Sequence, residues 1–271
     1  MNLTTLANVK EWGKITTDAD DDLLNKLIVA ASELVNTLIY VESLAWRLVT
    51  ETYDGSGNNF MLLRQWPVTD VQSIIFDCGW SVGPSTPPIA GQPRTKGFIL
   101  ETPVPLGIQH RLDLYCDRFP RGRANVQISY HAGFLQSSEP QTVPSSGPYT
   151  LSTNLVWIGD VGVTYANGTA LTPVPSSPAA GQYSVDALGN YTFAAADEGA
   201  KILISYSYCP PQLVQAVNEI VAERYKISAN NRIGVSAMTV GGRESVTYFT
   251  QKDMNAFSAT MIDIFRKTTP A

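Results

Sequence analysis

Apolar residues recur at helical spacing in two separated parts of the chain. Residues 4–13 predict a short helix, capped by a threonine hydroxyl and ended by a glycine able to adopt a positive φ. Residues 23–38 predict a longer helix, with the acids of Asp18–Asp22 at its positive end. Two more helices are predicted by the stripe from Leu213 to Tyr225 and by a last stripe after Thr250.

Between the helical segments the apolar period changes to two, beginning at Arg47. The turn at 54–58 makes the strand from Phe60 to Leu63 the predicted return strand of a hairpin. A small antiparallel sheet is expected, and 79–97 is its longest loop. Its further strands are predicted at 71–76, 98–100, 111–115 and 126–130.

A second block of strands interrupts the helical part. Residues 137–148 change composition abruptly and are interpreted as a linker. The chain beyond it reads as all β, with predicted strands at 155–158, 161–165, 182–185, 190–193 and 202–208. The fold class is therefore α+β: a discontinuous four-helix core with a small antiparallel sheet, formed by 1–135 and 209–271, and an inserted all-β, sandwich-like domain at 136–208.

The composition favours an assembly subunit. Charged residues make up only 16% of the chain, below the roughly 25% usual for a soluble domain, so partners are expected to cover part of the surface. The net charge of −5 is concentrated in residues 137–208. No extended run of Lys and Arg is present, which disfavours tight binding to nucleic acid.

The sequence offers no motif for catalysis, a metal or a cofactor. Cys78, Cys116 and Cys209 are far apart, and neither His110 nor His131 lies in a recognisable nucleophile motif. Phosphate-binding glycine loops are missing. The acids at the start of the second helix are consecutive and point about 100° apart, so they cannot converge on one ion. We expect no enzyme activity, no cofactor and no membrane span.

Several short motifs follow one another along the chain: Leu3–Trp12, Asp20–Leu24, Thr52–Gly55, Leu62–Val68, Ile128–Phe134, Pro211–Ala216, Glu223–Tyr225, Arg232–Ser236 and Glu244–Tyr248. Together they resemble the gp6-like head-tail connector (portal adaptor) family of long-tailed phages. The resemblance covers residues 1–135 and 209–267 and stops at the β insert.

This resemblance implies a structural virion protein of the neck, made in the host cytoplasm during assembly. Such proteins form a homo-oligomeric ring, typically a dodecamer, beneath the portal protein. The ring extends the channel used in DNA packaging and ejection, without sequence-specific DNA binding. It also provides the docking surface for the tail, through a tail-completion or tail-terminator protein.

The resemblance also suggests contact residues. In the family the C-terminal helix commonly engages the portal, although the same stripe could pack on its own domain. The residues expected in this contact are Met254, Phe257, Met261, Ile264, Phe265 and Arg266. Arg232, Arg243 and Glu244 lie in a polar, hairpin-like stretch, where they either contact the neighbouring subunit or belong to a solvated turn.

An alternative function is a carbohydrate- or protein-binding module formed by the insert. Its aromatic residues would then form a stacking platform on an exposed face. The competing interpretation is that they fill the core of the sandwich. The residues concerned are Trp157, Tyr165, Tyr183 and Tyr191.

Overall fold

The computed structural model describes residues 2–39, 42–77, 79–86, 94–101, 110–229, 235–238, 246–248 and 256–266, with the side chains of 227–229, 235–238, 246–248, 256 and 257 left out. The described part confirms the mixed α+β class, since it contains helices and several antiparallel sheets. The helices are α1 (Leu6–Gly13), α2 (Asp21–Ile39), α3 (Pro211–Ala229) and α4 (Ala256–Phe265).

The helices pack around α3, which contacts α1, α2 and α4. Its buried residues include Leu213, Val217 and Val221, which the helical period had placed on one stripe. The Thr5 hydroxyl accepts a hydrogen bond from the Asn8 backbone N–H at 3.3 Å, which confirms the predicted cap of α1. The left-handed residue at the other end is Lys14 and not the expected glycine.

The N-terminal β unit contains two sheets where the sequence predicted one. Its strands pair in the orders β1-β7-β3-β4 and β2-β6-β5, and one hydrophobic core lies beneath both. The strands are β1 (Arg47–Gly55), β2 (Phe60–Leu62), β3 (Val68–Phe76), β4 (Ser81–Val82), β5 (Gly97–Glu101), β6 (Arg111–Tyr115) and β7 (Gly122–Ala132).

The predicted hairpin between β1 and β2 is wrong. The long strand β7 pairs with β1 along its whole length, from Arg47 opposite Ala132 to Gly55 opposite Gly122. The short strand β2 pairs with β6 instead, in the second sheet.

The insert consists of two facing sheets, with strand orders β10-β14-β8 and β11-β12-β13-β9, and has its own core. The expected linker is partly strand β8, which pairs with β14. Its strands are β8 (Leu135–Thr142), β9 (Thr150–Ser152), β10 (Trp157–Tyr165), β11 (Thr172–Pro173), β12 (Gln182–Val185), β13 (Asn190–Phe193) and β14 (Lys201–Tyr208). Strands β15 (Val235–Met238) and β16 (Val246–Tyr248) form the predicted hairpin after α3.

An aromatic joint, formed by Trp66, Phe134, Tyr208 and Phe265, connects these parts. The Trp66 ring is only 1% exposed and lies 6.1 Å from the Phe134 ring and 6.3 Å from the Phe265 ring, between centroids. Phe134 also meets Tyr208, at 5.8 Å. The joint therefore brings together the β2–β3 connection, both ends of the insert and the C-terminal helix.

Replacing the tryptophan of this joint should destabilise the whole chain. We expect Trp66→Ala to lower the free energy of unfolding by about 3–5 kcal/mol, because it opens a cavity between packed rings. Trp12→Ala is the matched control: Trp12 is 48% exposed, so its loss should cost about 1 kcal/mol. Urea unfolding followed by circular dichroism measures both, and similar losses for the two variants would contradict the assigned role of the joint.

Candidate functional site

Part of the predicted contact stripe on the C-terminal helix faces the core of the protein. Phe265 is fully buried within the aromatic joint, and Met261 is partly buried against the same helical core. These two side chains therefore pack on their own domain, as the alternative interpretation held. They are not free to anchor a partner.

Two of the predicted contact residues remain accessible on α4. Ile264 is 44% exposed, and Arg266 lies at the exposed end of the helix, with its Nη1 3.8 Å from Asp263 Oδ1. The other predicted contact residues are not seen: Met254 lies outside the described residues, as does the side chain of Phe257. The same holds for the polar-loop residues Arg232, Arg243 and Glu244.

The aromatic residues of the insert are held by buried hydrogen bonds. Tyr183 and Tyr191 are buried, and both hydroxyls donate to the Asp160 carboxylate, at 2.6 and 2.9 Å. Trp157 Nε1 donates to the Tyr191 hydroxyl at 3.2 Å. The Tyr165 hydroxyl donates to Asp197 at 2.7 Å.

This arrangement fills the core of the sandwich. The proposed stacking platform is wrong for Tyr183 and Tyr191, because neither ring is accessible. Trp157 and Tyr165 are half-buried and packed against the same core. In β13 (Asn190–Phe193) the apolar residues alternate with polar ones, and the apolar face is the buried one.

A similar network fixes the motif Leu62–Val68 to the β unit. The Tyr53 hydroxyl accepts from the Arg64 backbone N–H at 3.0 Å, and the Tyr130 hydroxyl accepts from that of Gln65 at 3.1 Å. Both hydroxyls donate to one Glu51 carboxylate oxygen, at 2.5 and 2.7 Å. The network holds the segment that carries the tryptophan of the aromatic joint.

Two apolar residues that were not among the predicted contact residues are exposed in the N-terminal part of the chain. Val29 projects from α2, and Leu48, 56% exposed, projects from β1. A signal for them was present, since Val29 lies off the apolar stripe of its helix and Leu48 alternates with the buried Val49.

An open cleft separates the helical unit from the insert. The cleft has a volume of about 530 Å³, and Trp12 is one of the residues that line it. The cleft is lined by α1, α3 and the segment that precedes β10, through Asn8, Glu11, Trp12, Asn154, Leu155, Val156, Cys209, Pro211, Val214, Gln215 and Asn218. Burial raises the pKa of the Cys209 thiol in this lining and keeps it protonated.

His131 makes structural contacts, whereas His110 is buried with no hydrogen-bond partner for its Nδ1 among the described residues. The His131 ring stacks on Trp46, with centroids 4.3 Å apart, and its Nδ1 is 2.9 Å from Asp70 Oδ1. Burial lowers the pKa of His110. Among the described residues, no hydrogen bond joins a histidine ring to a serine or cysteine side chain. Nor does the described part of the chain contain a cluster of metal ligands or a helix that could cross a bilayer.

Comparison with known proteins gives one family. Residues 3–57 match the model of the family described as phage gp6-like head-tail connector protein. The match confirms the connector resemblance for this segment. The matched connector segment spans α1, α2 and β1, and so contains both exposed apolar residues described above.

The solved structures that the chain matches include chains of gene transfer agent (GTA) particles. A chain from the neck of an empty particle, computed with C6 symmetry, is 13% identical; the match covers 99% of this chain and 92% of that one, with a TM-score of 0.41. A chain from the virion of the native particle is 13% identical, with coverage of 100% and 96% and a TM-score of 0.39. A chain from the native neck, computed with C12 symmetry, is 12% identical, with coverage of 100% and 96% and a TM-score of 0.37. No curated protein matches the chain.

The buried tyrosines make the fold sensitive to alkali. Burial raises the pKa of Tyr53, Tyr130, Tyr183 and Tyr191, and the neighbouring carboxylates act in the same direction. Unfolded tyrosines ionise near pH 10. The folded state therefore binds more protons than the unfolded state above that pH, so the stability that these tyrosines contribute is fully present below about pH 10 and is lost as the pH rises further.

We expect these tyrosines to ionise only when the protein unfolds. During an alkaline titration, the tyrosinate absorbance that comes from the buried tyrosines should appear together with the loss of circular dichroism, in one cooperative transition above about pH 10. A control titration in denaturant should show all 12 tyrosines ionising near pH 10. Ionisation of the buried tyrosines near that pH, with native circular dichroism retained, would contradict the networks described here.

Proposed function

We propose that this chain is a structural subunit of a phage-type neck, a head-to-tail connector that forms a ring of its own copies on the portal. The ring extends the DNA channel and provides the docking surface for the tail. The observation that carries this proposal is the family match of the connector segment.

The way the connector segment is folded supports extending its role to the whole unit. Helix α2 packs on α3, and β1 pairs with β7 along its length. The segment therefore has no independent core of its own and is continuous with the rest of the fold. A role assigned to the segment is in that case a role of the complete helical and β unit.

The surface suits repeated subunit contacts. The connector segment exposes Val29 and Leu48, and the chain as a whole is low in charge. Such residues gain most when a neighbouring copy covers them. In a closed ring each copy would present one face to one neighbour and a different face to the other.

The C-terminal helix is proposed to contact the portal through its exposed side. Of the predicted contact residues, Ile264 is exposed on α4 and Arg266 is exposed directly after it. Met254 and Phe257 belong to the same proposal, and Arg232, Arg243 and Glu244 are proposed for the contact with the adjacent subunit. The tail-side partner is a tail-completion or tail-terminator protein.

The insert is proposed to be a decoration on the outer side of the ring, where added bulk leaves the channel free. Three of its carboxylates, Glu139, Asp160 and Asp197, are held by tyrosine hydroxyls within the sandwich. The carbohydrate- or protein-binding alternative required a row of exposed aromatic residues, and Tyr183 and Tyr191 are buried. We propose a purely structural role, without catalysis.

Assembly on the portal tests this function. Sedimentation velocity of the protein mixed with purified portal particles should show co-sedimentation as a closed ring of copies. The protein without portal is the control, and its state alone decides nothing, because many ring subunits assemble only on a template. A protein that remains monomeric and never co-sediments with portal would contradict the proposal.

The exposed side of α4 is tested by Ile264→Glu. This change should abolish portal binding without unfolding the protein, because it places a charge on an accessible apolar contact. Val161→Glu is the matched control, since Val161 is 37% exposed on the insert and is not expected to touch the portal. Normal portal binding by the first variant, or equal loss in both, would remove α4 from the contact.

A further inference from the structure

The end of the loop after β6 and the first two residues of β7 together concentrate positive charge. We name residues 118–123 the arginine turn: it carries Arg118, Arg121 and Arg123, all exposed, and no acid. The chain as a whole has a net charge of −5. The arginine turn is therefore a positively charged segment in a chain whose net charge is negative.

The nearby acids do not neutralise these arginines. Asp117 is paired with Lys96, with 2.7 Å between its Oδ2 and the Lys96 Nζ. The Asp54 carboxylate accepts the Ala124 backbone N–H at 2.6 Å. Across the part of the chain that the structure describes, no ion pair joins an arginine of the turn to a carboxylate.

A buried side chain and several hydrogen bonds fix the backbone of the arginine turn. Phe119 is fully buried, its N–H donates to the Asn58 carbonyl at 2.9 Å, and its carbonyl accepts from the Gly57 N–H at 3.0 Å. The Asn125 side chain donates to the Pro120 carbonyl and accepts from the Gly55 N–H, both at 2.8 Å. The three arginines therefore project from a segment whose backbone is fixed.

Arg121 lies across Gly57, which has a φ of +83°. A Cβ at that position would come within 2.7 Å of Arg121 Nε. Glycine therefore allows the long side chain to pass close over the backbone. This contact orders the stem of the arginine, while its guanidinium group has no acid partner.

We propose that the arginine turn contacts the phosphates of double-stranded DNA. The proposal rests on the proposed channel role, and it names the residues through which the connector would touch the DNA that passes. Guanidinium groups recognise phosphate oxygens through paired hydrogen bonds and always carry their charge. Three contacts per copy give weak, sequence-independent and strongly salt-dependent binding, and the acidic remainder of the chain repels DNA elsewhere.

The insert of a second copy is a poorer fit as the partner than DNA. The insert holds most of its acids in internal hydrogen bonds. Asp186 accepts from the Leu188 and Asn190 backbone N–H groups and from the Asn190 side chain. Glu139, Asp160 and Asp197 are occupied by tyrosine hydroxyls, as described above. Exposed carboxylates free to pair with three arginines are therefore scarce on that domain.

The test uses the full-length protein and a fluorescently labelled DNA duplex of random sequence, with anisotropy measured over a range of salt concentrations. The variant Arg118→Gln/Arg121→Gln/Arg123→Gln should bind at least about tenfold more weakly at low salt. Its slope of log K against log salt should fall by about 3. The matched control is Lys14→Gln/Lys26→Gln/Arg224→Gln, which removes the same charge from exposed helical positions and should bind DNA like the native protein. Circular dichroism verifies that both variants fold.

Three results would overturn the inference: no DNA binding by the native protein at low salt, equal weakening in both variants, or unchanged binding in the arginine-turn variant. If that variant keeps DNA binding but loses self-association or portal binding, the turn contacts protein instead. The proposed function fails separately, since a protein that binds DNA through the turn but never assembles on portal would contradict the ring alone.

Discussion

Packing of four aromatic rings at one point is the constraint on which the rest of this structure depends. Trp66 enters the joint from the N-terminal β unit, Phe134 and Tyr208 from the two ends of the insert, and Phe265 from the last helix. Large rings bury much apolar surface and tolerate little displacement in a close-packed core. Distant parts of the chain are thereby held in one arrangement.

The same joint explains how a domain can be inserted without disrupting the helical unit. The Tyr208 backbone N–H donates to the Phe134 carbonyl at 3.2 Å, so the insert leaves and re-enters the unit at neighbouring positions. Close ends are the geometry under which insertion is tolerated best. The insert then stabilises itself through its own core, in which tyrosine hydroxyls satisfy buried carboxylates.

Much of the secondary structure could be predicted, because the period of apolar residues is a local property. The stripe of α2, the alternation in β1, and β12 and β13 were all evident. Strand pairing was not evident, since β1 and β2 pair with β7 and β6, strands that lie far from them in sequence. In the candidate site, the helical period predicted the stripe of α4, but it could not show that Phe265 faces inward. Only three-dimensional packing distinguishes an anchor from a core residue.

The central claim is that this chain forms a ring between portal and tail, with the insert on its outer side. Electron microscopy of the neck of the particle that contains it tests this claim most directly. The account predicts ring density for the chain on the portal, with the sandwich projecting outward and the channel open. Finding the chain elsewhere in the particle, or finding the insert within the channel, would contradict it.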